Sequence, residues 1–415
     1  MESEGKLKVL LIAPYYDRAV PGESWSTYKW VEGISAHCET TVLTYHRPGW
    51  DPASSPVGAR EVVDWDDITL PKRFERIAWE MKPGYIFFYR KVRGWIREAL
   101  ARGRSFDLVH QINPLALRYP CPAVGLGIPF IIGPLAGSLE TPKGFAGEGT
   151  DRQWFRKLRY LDKLRIRRDP LLRRTYARAH AVIGVAPYVR DVLGSIPLRR
   201  FEVMSETGIT SLDQEHRPLR ESGVPLKLLF VGRVIRTKGV IDAVRALARL
   251  PDDCRARLDV LGVGDQLEQC RAEVKRLDLN DRVTFHGRVS RQEVDKWYRC
   301  SDVFLFPSFR EPSGNVVMEA MGHGLPVITC TNGGPGHVVD ETCGLRVPAE
   351  NPEQLTRDLA NAIQVLASDP DKTTALSAGA AARVQSLALW DQKIARMKEL
   401  YEEISVPSYG AAAGG

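Results

Sequence analysis

The sequence predicts an α/β protein with two doubly wound parallel sheets that face each other across a cleft. Three observations lead there. The chain of 415 residues is long enough for two compact cores. Both halves alternate short apolar runs of strand length with helical stretches, the pattern of parallel strands joined by crossover helices. A small, polar, turn-forming junction, "SETGITS" at 205–211, separates the halves.

In the first half, "KVLLIA" (Lys8–Ala13), "TTVLTY" (Thr40–Tyr45), "FDLVHQ" (Phe106–Gln111), "PFIIG" (Pro129–Gly133) and "AVIGVA" (Ala181–Ala186) read as strands. Ser24–Ala36 and Asp169–Arg178 read as helices between them, and Pro48–Asp67 as loop. Within that loop "VDWDD" carries Asp64 and Asp66, an Asp-x-Asp pair read as a solvated acidic turn. The run from Cys121 to Leu139 has no charge and approaches membrane-spanning length, but its glycines and prolines mark strand and turn.

The second half is more regular. "KLLFVGRV" (Lys227–Val234), "RLDVLG" (Arg257–Gly262), "RVTFHG" (Arg282–Gly287), "DVFLFP" (Asp302–Pro307) and "PVITC" (Pro326–Cys330) are each followed by a helical stretch. From Asn351 to Ile404 the pattern is helical throughout. The reading is a first domain at 1–208, a second at 209–387, a helix at 388–405, and a disordered tail at 406–415.

Composition sets outer limits. The seven cysteines form no Cys-x-x-Cys and no zinc spacing, which suits reduced thiols in a cytoplasmic protein. The opening apolar run, Val9 to Pro14, is too short for a signal peptide. Residues 1–208 carry 32 Lys and Arg against 23 Asp and Glu, whereas 209–415 carry 26 against 28. The densest basic part, 151–179, interleaves Trp154, Phe155, Leu158, Leu161 and Leu164 with arginines at helical spacing. Two readings stand: a helix lying on an anionic membrane, and a solvated basic face over an ordinary core stripe. No nucleic-acid reader motif accompanies the charge.

In open α/β sheets ligands sit beyond the carboxyl ends of the strands, so chemistry is sought there. Arg233 and Lys238 follow the strand "LLFVG", with Gly232 and Gly239 clearing space beside them, and two cations so placed suit a diphosphate. "LDVLGVGD" lacks the third glycine of a dinucleotide fingerprint and reads as a tight turn. "VFLFPS" is a buried strand, after which Ser313 or Gly314 opens a helix through Met321. Its free N–H groups near Ser313–Val316 offer an anion site. Glu311 precedes that helix. Glu319 lies more than one turn inside, where a carboxylate either accepts from paired hydroxyls or serves as a buried ion-pair partner. A glycosidase pair would need its carboxylates on opposite sides of the bond, which this spacing makes awkward.

"FVGR…KG", "VTFHGRVS…VDKWY…SDVFLFPS", the two glutamates of "EPSGNVVMEAMGHGLPVI", and "NGGPGHVVDETCGLRV" occur in an order that resembles the donor-binding domain of family-4 retaining glycosyltransferases with the GT-B fold, two Rossmann-like domains facing across a cleft. The resemblance covers nearly all of 226–365. It is looser in the first half, through "KVLLIAP", "FDLVH", "GIPFIIGP" and "DPLLRRTYARAHAVIGVA". It implies transfer of a hexose-type sugar from a nucleotide diphosphate sugar, of UDP type, to a saccharide or polyprenyl-linked acceptor in polysaccharide assembly. Arg233 and Lys238 would hold the diphosphate, Glu319 the ribose and Glu311 the transferred sugar. Ser313, Gly314, Asn315 and Val316 would line sugar and phosphate through backbone N–H groups, and Gly287, Arg288 and Val289 would meet the base.

The resemblance also implies front-face displacement without an enzymic nucleophile, no required metal or cofactor, and a crossing of the helix at 388–405, around Trp390, back to the first domain. Because the site lies at the interdomain surface, domain closure on donor binding is expected. Where many relatives have a glutamate, "GGPGH" has His337. Where they have paired glycines in the first domain, this chain offers Gly22. Where they have a histidine after the "PFIIG" strand it has "PLAG", and His110, ending "FDLVH", is the nearest alternative, as a reacting or as a structural group. Two further readings of the same fold are a non-catalytic nucleotide-binding scaffold and a sugar-nucleotide epimerase. The location that follows is cytoplasmic, with a peripheral place on the inner face of the cell membrane if 151–179 binds lipid.

Overall fold

The computed structural model describes residues 6–20, 22–46, 58–67, 82–148, 162–213 and 223–405. The tail at 406–415 and the aromatic part of the basic segment, 151–161, lie outside the described residues.

Two separate parallel sheets carry the chain. The first has seven strands, β1 (Lys8–Ile12), β2 (Glu39–His46), β3 (Glu61–Asp66), β4 (Leu108–Gln111), β5 (Phe130–Leu135), β6 (Ala181–Gly184) and β7 (Phe201–Val203). Their spatial order is β3-β2-β1-β4-β5-β6-β7. The second has six, β8 (Leu226–Val231), β9 (Ala256–Leu261), β10 (Val283–Gly287), β11 (Val303–Phe306), β12 (Val327–Cys330) and β13 (Gly344–Val347), in the order β10-β9-β8-β11-β12-β13. The strand order reverses beside β1 and β4 in one sheet and beside β8 and β11 in the other. Those reversals are where an open sheet leaves a crevice at its carboxyl edge.

The apolar runs became central strands because both faces are covered: every residue of β4, β5, β6, β11 and β12 is buried. One sequence expectation is corrected here. Asp64 and Asp66 belong to β3, not to an acidic loop, and pair in register with Thr44 and His46 of β2. At the sheet edge Val62, Val63 and Trp65 pack inward while Asp64 and Asp66 stay exposed, so the charges masked a strand. The helix Tyr85–Ala101 and the short strands β7 and β13 had no counterpart in the sequence reading.

The chain crosses between the units more than once. Helix Trp390–Ser405 packs on the first sheet, where Trp390, Ile394, Met397, Leu400 and Tyr401 share a core with Trp30, Val31 and Ile34 of helix Glu23–His37. The Trp390 ring meets Trp30 edge-on with centroids 5.3 Å apart. A second crossing is made by the loop after β5: Phe145, from the first domain, is fully buried in the core of the second. Among the described residues no helix is long and apolar enough to cross a membrane.

Candidate active site

The loop after β8 turns through a short 3-10 helix, Arg236–Lys238, and delivers Lys238 to the carboxyl edge of the sheet. The loop after β11 comes up beside it and delivers Glu311. Lys238 and Glu311 form an ion pair, with both side chains largely buried. The Lys238 ammonium also lies 5.2 Å from the centre of the Phe306 ring. Burial, followed by the charges of Arg233 and Arg310, draws the lysine down to about 7. The Glu311 carboxylate against it works in the opposite direction. Arg233 itself is exposed at the edge of the loop.

Helix Asn315–Gly322 begins immediately beyond Glu311. Its first residue follows Gly314, held at φ 81°, a left-handed conformation that L side chains resist. A side chain there would also press into Pro335, 2.8 Å from the position of its first carbon. The apolar side chains Val317, Met318 and Met321 seat the helix in the core, which leaves its opening N–H groups at the sheet edge. Ser313 is buried and meets the Glu206 carboxylate, and Asn315 accepts a hydrogen bond from Thr207. Both partners come from the linker between the domains.

Glu319 points from the second turn to a cleft of about 920 Å³ between the domains, whose walls include Gly22, Trp25, Thr207, Arg291 and Asn315. Its carboxylate is already engaged, by Arg291 Nη1 at 2.7 Å and by the Tyr298 hydroxyl at 3.4 Å. Arg291 is fixed there because Ser290 and Glu293 close a capping box at the start of its helix, Arg291–Cys300. Of the two readings of Glu319, the ion pair is therefore present. Glu319 remains in the cleft wall, with 19 % of its side chain exposed.

The carboxyl ends of β8, β9 and β10 are knitted in sequence. Gly232 N–H donates to Leu261 O at 2.9 Å, and Gly262 N–H to Gly287 O at 2.7 Å. Gly262 has no room for a side chain, since its first carbon would stand 1.8 Å from Gly232 O. "LDVLGVGD" is thus a close backbone approach rather than a dinucleotide loop. Arg288 is exposed and Val289 half-buried just beyond this edge.

His110 is corrected. It is fully buried in β4, its Nδ1 lies 2.5 Å from the Tyr401 hydroxyl, and its Nε2 lies 2.7 Å from Gly133 O. Burial lowers its pKa to about 4, so it is a neutral bridge between the first sheet and the returning helix. No ring nitrogen is left to face a substrate. His337 is half-buried, in helix Gly333–Val338, and burial draws it down as well.

The sequence reading left out several residues of this region. Arg236 is buried between Asp242, at 2.5 Å, and Glu148 of the first domain, at 2.7 Å. Arg291, Thr207 and Arg310 were not singled out either. Arg310 had one available signal, its position directly before Glu311.

With this geometry in place, comparison with known proteins assigns the second domain. Residues 225–369 match the family model described as "Glycosyl transferases group 1". A D-inositol 3-phosphate glycosyltransferase of Xylanimonas cellulosilytica is 34% identical over 194 residues, covering 45% of each chain. The chain spans about half, or less, of the length of the curated relatives it matches. Among solved structures, the sucrose-phosphate synthase of Thermosynechococcus elongatus superposes with a TM-score of 0.63 at 21% identity, over 96% of this chain and 99% of that one. Anabaena Alr3699/HepE in complex with UDP and glucose gives 0.58 at 16%, over 95% and 100%. At such identities the likeness shows the fold: two Rossmann-like domains in the GT-B arrangement.

Proposed function

We propose, for a chain whose residues 225–369 carry a group 1 glycosyl transferase domain, transfer of a hexose-type sugar from a nucleotide diphosphate sugar to a saccharide or lipid-linked saccharide, with retention at the anomeric carbon. The observation that carries this reading is the buried Lys238–Glu311 pair at the strand reversal, next to the start of helix Asn315–Gly322.

The chemistry follows from charge. Breaking the bond between the anomeric carbon and the phosphate oxygen builds negative charge on the departing diphosphate and positive charge on the sugar. Arg233, Lys238 and the helix start oppose the first. An arriving diphosphate competes with Glu311 for Lys238, which frees the Glu311 carboxylate for sugar hydroxyls. The acceptor oxygen then attacks from the face that the diphosphate leaves, and its proton passes to the departing phosphate oxygen. The residues at the site complete this step by position and electrostatics alone. Glu319 takes the ribose hydroxyls by exchanging them for Arg291. A nucleotide donor is also in keeping with the UDP that the Anabaena neighbour holds.

We assign the acceptor to the first domain, and its lipid-linked form rests on surface chemistry. Ile86 and Phe87 are 62% and 51% exposed at the start of helix Tyr85–Ala101. Arg165, Arg167, Arg168, Leu171 and Arg174 are exposed on the described part of the basic segment. The two elements flank one loop, since Arg93 donates to Pro122 O and Val124 O while Arg174 lies against Gly125. Apolar side chains among cations suit an anionic membrane surface.

The deciding experiment is binding of UDP-, GDP-, ADP- and dTDP-sugars, followed by thermal shift and NMR, with Arg233→Ala and Glu319→Ala as controls. One nucleotide family should bind, and both variants should lose it. Silence across the panel from folded protein would sink the reading and favour a scaffold. Replacement of Arg165, Arg167 and Arg168 by serine should weaken binding to anionic vesicles; unchanged binding would remove the membrane assignment.

A further inference from the structure

We infer that the first-domain segment 139–148 is a strap that positions the Lys238–Glu311 pair of the second domain, with Phe145 and Glu148 as the residues through which it acts. The inference rests on the donor-site reading above and adds to it two residues from the opposite domain.

The root of the strap belongs to the first sheet. Just beyond β5, Ala136 N–H donates to Leu115 O at 2.8 Å and Gly137 N–H donates to the Tyr188 hydroxyl at 3.2 Å. The tip belongs to the second domain. A 3-10 turn, Lys143–Phe145, carries the Phe145 ring into the opposite core, where it is fully buried. Gly144 permits that approach, because a side chain there would strike Glu350 O.

The tip grips both loops of the site. Phe145 stacks on Phe309 with ring centroids 4.0 Å apart, and Phe309 stands two residues before Glu311. The Arg236 guanidinium lies 5.3 Å from the Phe145 ring centre and 5.2 Å from that of Phe309, and its Nε donates to Glu148 at 2.7 Å. Arg236 stands two residues before Lys238. Each loop is therefore held two positions ahead of the residue it delivers. The loops are also joined to each other, since Ser308 Oγ donates to Thr237 O at 2.9 Å. On the other side of the pair, Gly334 N–H donates to Glu311 O at 3.0 Å, and Leu139 of the strap backs the adjoining Gly333, where a side chain would stand 2.9 Å from it.

Burial alone accounts for a phenylalanine in a core, and any apolar face of the second domain would serve it equally. It does not account for contacts that fall on these two loops and on the turn behind Glu311. So placed, the strap makes the spacing of Lys238 and Glu311 depend on how the two domains dock. A misplacement of about 1 Å by a remote change is enough to be felt at a reacting centre. Phe145 and Glu148 act through Phe309 and Arg236, and they are positioning residues.

The test uses the full chain and isothermal titration with UDP, GDP, ADP and dTDP. The variants are Phe145→Leu and Glu148→Gln, each made in the parent, in Lys238→Ala and in Glu319→Ala. Glu148 is 38% exposed, so Glu148→Gln keeps the test open if Phe145→Leu does not fold. Both strap variants should weaken the diphosphate that the parent binds by about fivefold or more, the low end of what coupled neighbours show. In the Lys238→Ala background that effect should shrink to within about twofold, whereas in Glu319→Ala, which shares no contact with the strap, it should persist in full. Strap variants that bind like the parent, while Lys238→Ala and Glu319→Ala lose affinity, would overturn the inference and leave the donor site standing. Strap variants that weaken binding as much in Lys238→Ala as in the parent would show that they act on the fold rather than through the pair, and would also overturn it. No nucleotide bound by the parent, or binding unchanged in Lys238→Ala, would bring down the donor site and the inference with it.

Discussion

Arg291 closes on Glu319 at 2.7 Å in the wall of the interdomain cleft, so the carboxylate assigned to the ribose is held by an arginine. The pair is half-exposed on the arginine side, where 62% of the Arg291 side chain is accessible. Partners of that kind exchange readily, because the pair contributes about 1 kcal/mol or less. Glu319→Ala should therefore weaken a ribonucleoside diphosphate by roughly tenfold or more, the loss of a hydrogen bond to a charged acceptor. Arg291→Ala should not weaken it. Calorimetry with a 2′,3′-dideoxynucleotide gives the control: its affinity should be the same in the parent and in Glu319→Ala. A large loss in Arg291→Ala would assign the contact to the arginine instead.

Lys238 makes donor binding depend on pH, and the sign is fixed by its charge. The lysine is drawn down to about 7 in the free protein, and a bound diphosphate raises it again. Affinity for a nucleotide sugar is then fully present below about 7 and declines as pH rises through the bound-state value, by up to about tenfold per pH unit. A nucleotide sugar is the proper ligand because its diphosphate has no group titrating in that range. Lys238→Arg should bind with a flat profile between pH 6 and about 9, since arginine keeps its charge there. A flat profile in the parent protein would contradict the assignment.

His110 gives the fold its own pH dependence. Its pKa lies near 4 in the folded chain against 6.5 when free, so the unfolded chain binds the extra proton between those values. Stability is unaffected above about 6.5 and falls as pH drops from there toward about 4, by an amount on the order of 3 kcal/mol. His110→Asn should be less stable near neutral pH, because the ring bridges Gly133 O and the Tyr401 hydroxyl, yet it should lose that component of the acid slope. Urea melts at a series of pH values read both effects. Nucleotide affinity should stay unchanged at neutral pH, and its loss in folded variant protein would return His110 to the site.

Lys393 is the polar pin of the linker. It is buried, donates to Ser205 O and Thr207 O, and lies 5.1 Å and 4.9 Å from the ring centres of Trp30 and Trp390. Burial draws it down to about 7, with the nearby Glu206 acting to raise it. Lys393→Met nearly keeps the length of the side chain and removes the donor of Ser205 O and Thr207 O. A cost of roughly 1–3 kcal/mol is expected, the usual penalty for buried acceptors left unsatisfied. Chemical denaturation should show a lower midpoint, and because Glu206 and Thr207 hold Ser313 and Asn315, donor affinity should fall with it. A midpoint shift below about 1 kcal/mol would mean that the linker is held by its apolar contacts alone.

The strands of the second domain were legible because a parallel strand covered on both faces needs an unbroken apolar run, and "VFLF" and "VITC" are such runs. Loops at strand ends were legible for a related reason, since Arg233, Lys238, Glu311 and Glu319 stand out against small and apolar neighbours. β3 was not, because an edge strand exposes one side and Asp64 and Asp66 occupy it. Which charges face each other is another matter. Nothing local to "GRVIRTKGV" says that Lys238 meets Glu311 while Arg236 turns away to Asp242 and Glu148. His110 at the end of "FDLVH" looked available to a substrate until helix Trp390–Ser405 laid Tyr401 over it. The sequence by itself determined the two sheets, their approximate limits and the stock of charged groups at their carboxyl edges, since periodicity and turn chemistry act within a few residues. Tertiary structure alone decided the pairings, the burial of Phe145 in the opposite core and the neutral state of His110. Each depends on segments far apart in the chain, brought together by burial that no local pattern encodes.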